Sequence, residues 1–385
     1  MSAAYWRRAM NTGLAAAAAA RPLPLPRAGV AAPVAAAAVD PYADSDAPRW
    51  LRFLWRHLAA RHVFVLAFVL AFPFVATPFF TFQIAAQSLA LGLIALSLTF
   101  LGGYGGMVSL AQMTVAGIAG YVVSILGASA TEVSLGWPWW AAVPFALAIA
   151  TACATLIGWL SVRTEGIYTI MITLAIGVAF YYLALQNYSL FNGFQGFQKV
   201  YPPTLLGVDW RSPMPFYFLC LALSLAGYLW VKWLVRSPFG IALQGVRDNP
   251  RRMAALGFHV TAHRVAAYAV AGLIAAVGGV LFTWYNGLIS PNSVGTGWLI
   301  NVLVIAVLGG MRHPIGAFLG AVVFVLLQTF AIDIIDRERF NLVIGVVFLA
   351  IVLFSPDGLL GLWAKLRSRF GPQQALTSPT PRRQA

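Results

Sequence analysis

The sequence predicts an all-α protein, a polytopic integral membrane bundle of about ten transmembrane helices. Two observations carry this. Hydrophobic residues make up 60% of the 385 positions and charged residues only 9%, whereas a soluble domain carries roughly a quarter charged residues. With a mean hydropathy of +0.80, no fold of this size could cover its surface in water. The apolar residues also gather in continuous runs of roughly 20, not in alternating segments of about 10, which is the pattern of spanning helices and not of a membrane β-barrel.

Residues 1–48 read as a disordered tail, because Ala15–Ala20, Pro22, Pro24, Pro26 and Ala35–Ala38 offer little with which to build a core. Arg21 and Arg27 interrupt the apolar run that a secretory leader would need. Residues 49–62, with Trp50, Arg52, Phe53, Trp55, Arg56 and Arg61, fit a short basic and aromatic helix on the membrane surface. Residues 63–363 form the transmembrane domain, with candidate spans at 63–80, 82–101, 107–126, 139–160, 166–186, 213–235, 265–285, 294–311, 314–332 and 340–355. Residues 364–385 are a basic tail. Cys153 and Cys220 fall inside apolar runs and read as small buried hydrophobes, so no disulfide framework is implied.

The net charge of +14 has a simple origin in sidedness. With ten spans and a cytoplasmic N-terminus, 21 basic residues lie inside and four outside. If 107–126 were re-entrant, the division would become 13 against 12. The positive-inside rule therefore favours a full crossing, with both termini cytoplasmic. Nucleic acid is not needed to explain the charge.

Two loops are long. The outer segment 187–212 is rich in aromatic and amide residues and reads equally as an aromatic belt or as a docking or gating surface. The inner segment 236–264, RSPFGIALQGVRDNPRRMAALGFHVTAHR, predicts two short helices at about a right angle. Ser237 and Asn249 are N-caps, each followed by proline (Pro238, Pro250), Gly240 lies in the first turn and Gly257 sits at C′. The second helix presents Met253, Ala254 and Leu256 beside Arg251 and Arg252, a shape suited to a cleft on a cytoplasmic partner or to anionic head groups.

Uphill transport requires an energy source, and Lys199, Lys232 and Lys365 complete no G-x-x-x-x-G-K-[ST] phosphate loop. The span interiors hold almost no ionisable residue, which discourages a proton relay or a membrane-embedded enzyme. GGYGG at 102–106 lacks the Thr-Val of a potassium filter, and His259 and His263 lack a third ligand for a metal site. A solute path would use uncharged groups: Gln83, Gln87, Ser88, Ser109, Gln112, Thr114, Tyr121, Thr169, Thr173, Asn301 and Gln328 are candidates. Around Ser109 and Gln112, Gly102, Gly103, Gly105 and Gly106 allow the helix to break and restart, aiming free N–H groups into the bundle. Each of these groups has a competing reading as a plain helix–helix hydrogen bond or close packing.

Six blocks in order resemble the LivM-type permease of branched-chain amino-acid ABC transporters: GGYGGMVSLAQMTVAGIAGYV (102–122), EGIYTIMITLAIG (165–177), RSPFGIALQGVRDNPRRMAALGF (236–258), AAVGGVLFTWYNGLISP (275–291), VLGGMRHPIGAFLGA (307–321) and FSPDGLLGL (354–362). The resemblance implies an inner-membrane permease that works by alternating access. It further implies two cytoplasmic ATPases that bind ATP and Mg, a sister permease of the LivH type, and an extracytoplasmic solute-binding protein. No cofactor is expected in this chain. Ala111, Val178, the FNGFQGF stretch and MRHP depart from the family pattern and loosen the assignment of the solute, leaving urea or short amides beside branched-chain amino acids. A stand-alone channel or carrier for a small neutral solute is the competing class.

Overall fold

The computed structural model describes residues 69–334 except 128, 130–133, 165, 205, 206 and 208, together with isolated positions between 342 and 361. These belong to the second of two compact units, Phe68–Ala385. The tail 1–48, the segment 49–62, the tail 364–385, residues 63–68 of the candidate span 63–80 and most of the candidate span 340–355 lie outside the described residues. The other eight candidate spans each fall on an apolar helix.

Helix α1 runs Phe80–Tyr104, with π-helical turns at both ends, Phe80–Ala86 and Phe100–Tyr104. It is followed by α2 (Gln112–Leu126), α3 (Trp139–Ser161), α4 (Ile167–Gln186) and α5 (Pro213–Arg236). Two short helices come next, α6 (Pro238–Asp248) and α7 (Pro250–Ala255). The membrane set closes with α8 (Val260–Asn286), α9 (Thr296–Gly309) and α10 (Pro314–Ile334).

Burial sorts these helices. The membrane-length window of α1 is 89% buried and that of α8 67%, against 22% for α4 and 17% for α5. Helices α1 and α8, with α2, of whose 15 residues 12 are buried, are therefore the inner set, and α4 and α5 present most of their apolar surface outward, where only lipid or another chain can cover it. The α2–α8 contact is a backbone approach, since a side chain at Gly279 would run into the Ala116 carbonyl. The α9–α10 crossing is closer still. Side chains at Gly309, Gly316 or Gly320 would strike backbone carbonyls of the facing helix, as in small-xxx-small membrane contacts. Some hydroxyls inside the bundle bond to carbonyls one turn back, Ser124 to Gly120 at 2.7 Å and Thr283 to Gly279 at 2.9 Å, which satisfies them within their own helix.

Two boundaries differ from the sequence reading. The break between the first two spans falls at Ala76 and Thr77, ahead of Pro78, and not at residue 81; proline suits the first helical turn, which moves the start upstream. The third span begins as a helix only at Gln112, with residues 106–109 irregular. Fifteen residues of helix reach about 22 Å, short of the roughly 30 Å hydrocarbon core. The irregular segment supplies the rest of the crossing.

The chain ends up with two unlike faces. One, the basic end, holds α6, α7 and the Gly102–Gly106 turn, joined by a 2.6 Å hydrogen bond from Arg247 Nη1 to the Gly103 carbonyl. The other, the aromatic end, holds two short strands, β1 (Phe197–Gln198) and β2 (Leu288–Ile289), paired antiparallel with Phe197 opposite Ile289. This clasp ties the 187–212 loop to the end of α8, a pairing that two-residue strands do not announce in sequence.

Replacing Gly309 by valine is expected to destabilise the α9–α10 crossing by about 1–3 kcal/mol, the usual cost of overpacking. Gly297, where an added Cβ meets nothing within 4 Å, is expected to tolerate alanine. Thermal unfolding of the two detergent-solubilised variants checks the contrast.

Candidate functional site

The centre of interest is the start of α2. The chain leaves α1 through its terminal π turn and reverses at Gly106, where φ is +67°, a conformation that favours glycine. It then enters the bundle as irregular chain before α2 begins. The N-cap of α2, Ala111, offers no side-chain cap to the first-turn amides of Gln112, Met113 and Thr114, and the side-chain bonds here hold the two residues just ahead of them. The Leu110 N–H donates to Thr173 Oγ1 of α4 at 3.1 Å, and the Ala111 N–H to Ser109 Oγ at 3.3 Å. Gln112 is anchored by its side chain, Oε1 accepting from Ser97 Oγ of α1 at 3.1 Å. Ser97, Ser109, Gln112, Thr114 and Thr173 are all at most 1% exposed. A helix N-terminus with its partial positive charge is thus buried inside an apolar bundle.

From that point a seam runs between α2 and α4. Thr114 lies against Gly177, and its hydroxyl is buried without a hydrogen-bond partner. One further stretch along the same face, Tyr121 is fully buried, ringed edge-on by Phe180, Phe191 and Phe197 at centroid distances of 6.0, 5.2 and 6.2 Å. Its hydroxyl is also unpartnered. On the other side of Ser109, the Tyr268 phenol of α8 stands beside the Ser109 and Ser161 hydroxyls, again with no hydrogen bond formed. An unmet buried hydroxyl costs about 1–3 kcal/mol, so the two in the seam, Thr114 and Tyr121, mark a place where a polar visitor or water would be welcome.

The structure brings Ser109, Gln112 and Thr173 together just past the glycine turn at 102–106, whereas Tyr121 lies further along α2 against Phe191 and Phe197 of the aromatic end. It does not bring in Asn301, which is half-buried on α9 and makes no hydrogen bond among the described residues. Of the wider candidates, Gln87 receives the Tyr285 hydroxyl at 3.3 Å near the aromatic end, Thr169 bonds the Thr164 carbonyl at 2.9 Å and Gln83 is exposed. Ser88 Oγ and Gln328 Oε1 are buried without partners elsewhere in the bundle. Sequence reasoning missed Ser97, Ser161 and Tyr268 because each sits alone in an apolar run, and only the packing of α1, α3 and α8 shows that they share a site.

The loop at the basic end is built as its caps require. Ser237 Oγ accepts from the Gly240 N–H at 3.3 Å, Asn249 Oδ1 accepts from the Arg252 N–H at 2.9 Å, and Gly257 has φ +88°. Helix α6 buries Ala242, Leu243 and Val246, whereas α7 buries nothing. Met253 packs on Gly245, which holds α7 on α6. His263 stacks on Phe239 at 5.9 Å and meets Phe258 edge-on at 5.7 Å, pinning the loop to α8. Arg251, Arg252, Ala254 and Leu256, the last 67% exposed, face outward. Beside them, Trp159, Ala254, Phe258, Val260 and Val265 line an open apolar groove of about 870 Å³. Arg247, not singled out in sequence, pairs with Asp248 at 2.8 Å as well as with Gly103.

The arrangement is that of a rigid exposed knob joined by Arg247 to the turn that feeds a buried helix start. Residues 80–352 match the family model for the permease component of the branched-chain amino acid transport system. The chain belongs to that family. Among relatives of this permease family, the high-affinity branched-chain amino acid transport system permease protein LivM of Salmonella typhimurium is 25% identical, covering 77% of this chain and 73% of the relative. LivM of Escherichia coli is likewise 25% identical, over 77% and 74%. The autoinducer 2 import system permease protein LsrC of Klebsiella pneumoniae is 32% identical over 41% of this chain and 45% of the relative. No solved structure matches the chain. The protein is thus a multi-pass transport permease.

Thr173→Val removes the acceptor of the buried Leu110 N–H and is expected to lower stability by about 1–3 kcal/mol. Thr173→Ser keeps the acceptor and is expected to restore most of it. Unfolding midpoints of the two purified permeases decide between this role and simple packing.

Proposed function

We propose that the chain is the membrane subunit of an ATP-driven importer that moves branched-chain amino acids by alternating access. Its basic end faces the cytoplasm, in keeping with the 21 to 4 division of basic residues. Two separate ATPases bind ATP and Mg and grip the α6–α7 knob of this chain and that of a sister permease. A binding protein delivers solute at the aromatic end. The observation that carries this reading is the match of LivM relatives over 77% of the chain.

The geometry supports a mechanism in this chain's own terms. ATPase closure pushes α7, whose exposed Leu256 and Ala254 enter the partner while Arg251 and Arg252 lie over its surface. The push passes through α6 and the Arg247 to Gly103 bond into the turn at Gly106, and so to the start of α2. Helix α4, only 22% buried in its apolar window, is the helix most free to part from α2 and open the seam. A zwitterion's carboxylate would then meet the first-turn amides of α2, and its passage needs no buried arginine. Relatives named for autoinducer 2 import share the scaffold, so solute choice rests on the few side chains along the seam.

The assembly purified through this chain is expected to hydrolyse ATP faster when leucine-loaded binding protein is added, and the chain alone to hydrolyse none. Solute uptake by vesicles holding only this chain would replace the reading with a channel or carrier. Arg247→Gln is expected to cut uptake about tenfold, roughly 1.4 kcal/mol of coupling, while ATP hydrolysis continues. Leu256→Asp is expected to uncouple the same assembly without lowering its unfolding midpoint. Cysteines placed at Asn192 and Arg252 are expected to react with a membrane-impermeant maleimide from the outside and the inside of cells, respectively.

A further inference from the structure

At the aromatic end, the chain following β1 folds over the start of α5 and the end of α8. There Phe82, Tyr201, Arg211, Trp284, Tyr285 and Asn286 line a cavity of about 260 Å³. Pockets for drug-sized ligands begin at roughly 300 Å³, so this one suits a solute of amino-acid size.

Three parts of its wall differ in chemistry. The Arg211 guanidinium lies 3.8 Å from the centre of the Tyr201 ring. Asp209 accepts the Arg211 backbone N–H at 3.0 Å, and among the described residues the guanidinium has no carboxylate partner. Held by its flat face, it keeps its N–H edge for a planar anion, the geometry of bidentate carboxylate recognition. Elsewhere in the lining, Asn286 Nδ2 donates to the Phe282 carbonyl at 2.8 Å, which fixes the amide and leaves Oδ1 to accept. Phe82 and Tyr285 stack at 5.0 Å and, with Trp284, give the cavity an apolar surface.

The wall is braced before any solute arrives. The Val200 N–H donates to the Gly287 carbonyl at 3.0 Å, and the Tyr201 ring packs over Gly287 itself. The Tyr285 hydroxyl is tied to Gln87 at 3.3 Å.

We propose that this cavity is a capture subsite for an α-amino acid, with Arg211 taking the carboxylate, Asn286 Oδ1 the ammonium and the Phe82, Trp284 and Tyr285 wall the aliphatic side chain. The inference rests on the import reading, which places the aromatic end outside. An exposed ion pair contributes little by itself, so free solute binds weakly here. The subsite works because a docked binding protein releases solute into a confined mouth at high effective concentration.

Saturation-transfer NMR reads such weak binding. The complete assembly in nanodiscs is mixed with L-leucine, or with isoamylamine, which lacks only the carboxylate. The expected result is a leucine methyl signal that falls about fivefold in Arg211→Gln, a modest loss befitting an exposed pair, and is intermediate in Arg211→Lys, which keeps charge but loses the planar fork. Isoamylamine should give the low signal with either protein. An Arg211→Gln signal equal to wild type, or equal signals from the two probes, overturns the proposal. So does an unchanged leucine signal accompanied by weaker docking of solute-free binding protein, because the carboxylate would then belong to that protein. Leucine import by the wild-type assembly is measured separately: its failure with the NMR pattern intact sinks the import reading and leaves the subsite standing.

Discussion

The buried beginning of α2 is the constraint around which the rest of the bundle is arranged. A helix start leaves amides without partners and concentrates partial positive charge, and in an apolar interior neither can be left to water. The approach to that start is fixed instead: Thr173 of α4 and Ser109 accept from the Leu110 and Ala111 amides just ahead of α2, and Ser97 of α1 holds the Gln112 side chain. Those partners fix where α1, α2 and α4 stand relative to one another. The close approach of Gly279 to Ala116 then places α8 against the same helix.

From this constraint follows the contrast between inner and outer helices. Helices α1 and α8 are packed on nearly all sides, while α4 touches the α2 seam through small or aromatic residues and leaves most of its surface outward. Along that seam the hydroxyls of Thr114 and Tyr121 have no partners. A seam that is polar, imperfectly satisfied and bordered by a lightly held helix can exist in two arrangements at modest cost, which is what alternating access requires. In the proposed mechanism the basic end is the lever. Helix α6 is built into the core through Leu243, α7 is bare, and Arg247 links the pair to the turn just upstream of the buried helix start.

Much of this was legible in the sequence, for reasons that can be stated residue by residue. Long apolar runs identify spans because backbone groups in lipid must bond within their own segment. Ser237-Pro238 and Asn249-Pro250 announce their helices because cap chemistry is local. The glycine cluster at 102–106 announces a break for the same reason. The sequence could not reveal which isolated serines and tyrosines share a site: Ser97, Ser161 and Tyr268 lie on α1, α3 and α8, and only tertiary packing joins them to Ser109 and Gln112. Nor could it show that Asn301 stands apart from that group, that β1 pairs with β2, or that the break ahead of α1 falls before Pro78 and not at residue 81. Arg247 looked like one more basic residue of a cytoplasmic loop until its hydrogen bond to Gly103 was seen.

The central claim is that solute passes the first turn of α2. Amide hydrogen exchange of the complete assembly, compared with and without leucine-loaded binding protein and a non-hydrolysable ATP analogue, tests it most directly. The account predicts that peptides covering residues 107–116 change protection when solute is present, because the first-turn amides exchange their present surroundings for a carboxylate. Solute-dependent changes confined to other helices, with residues 107–116 unaltered in an assembly that imports leucine, would contradict it.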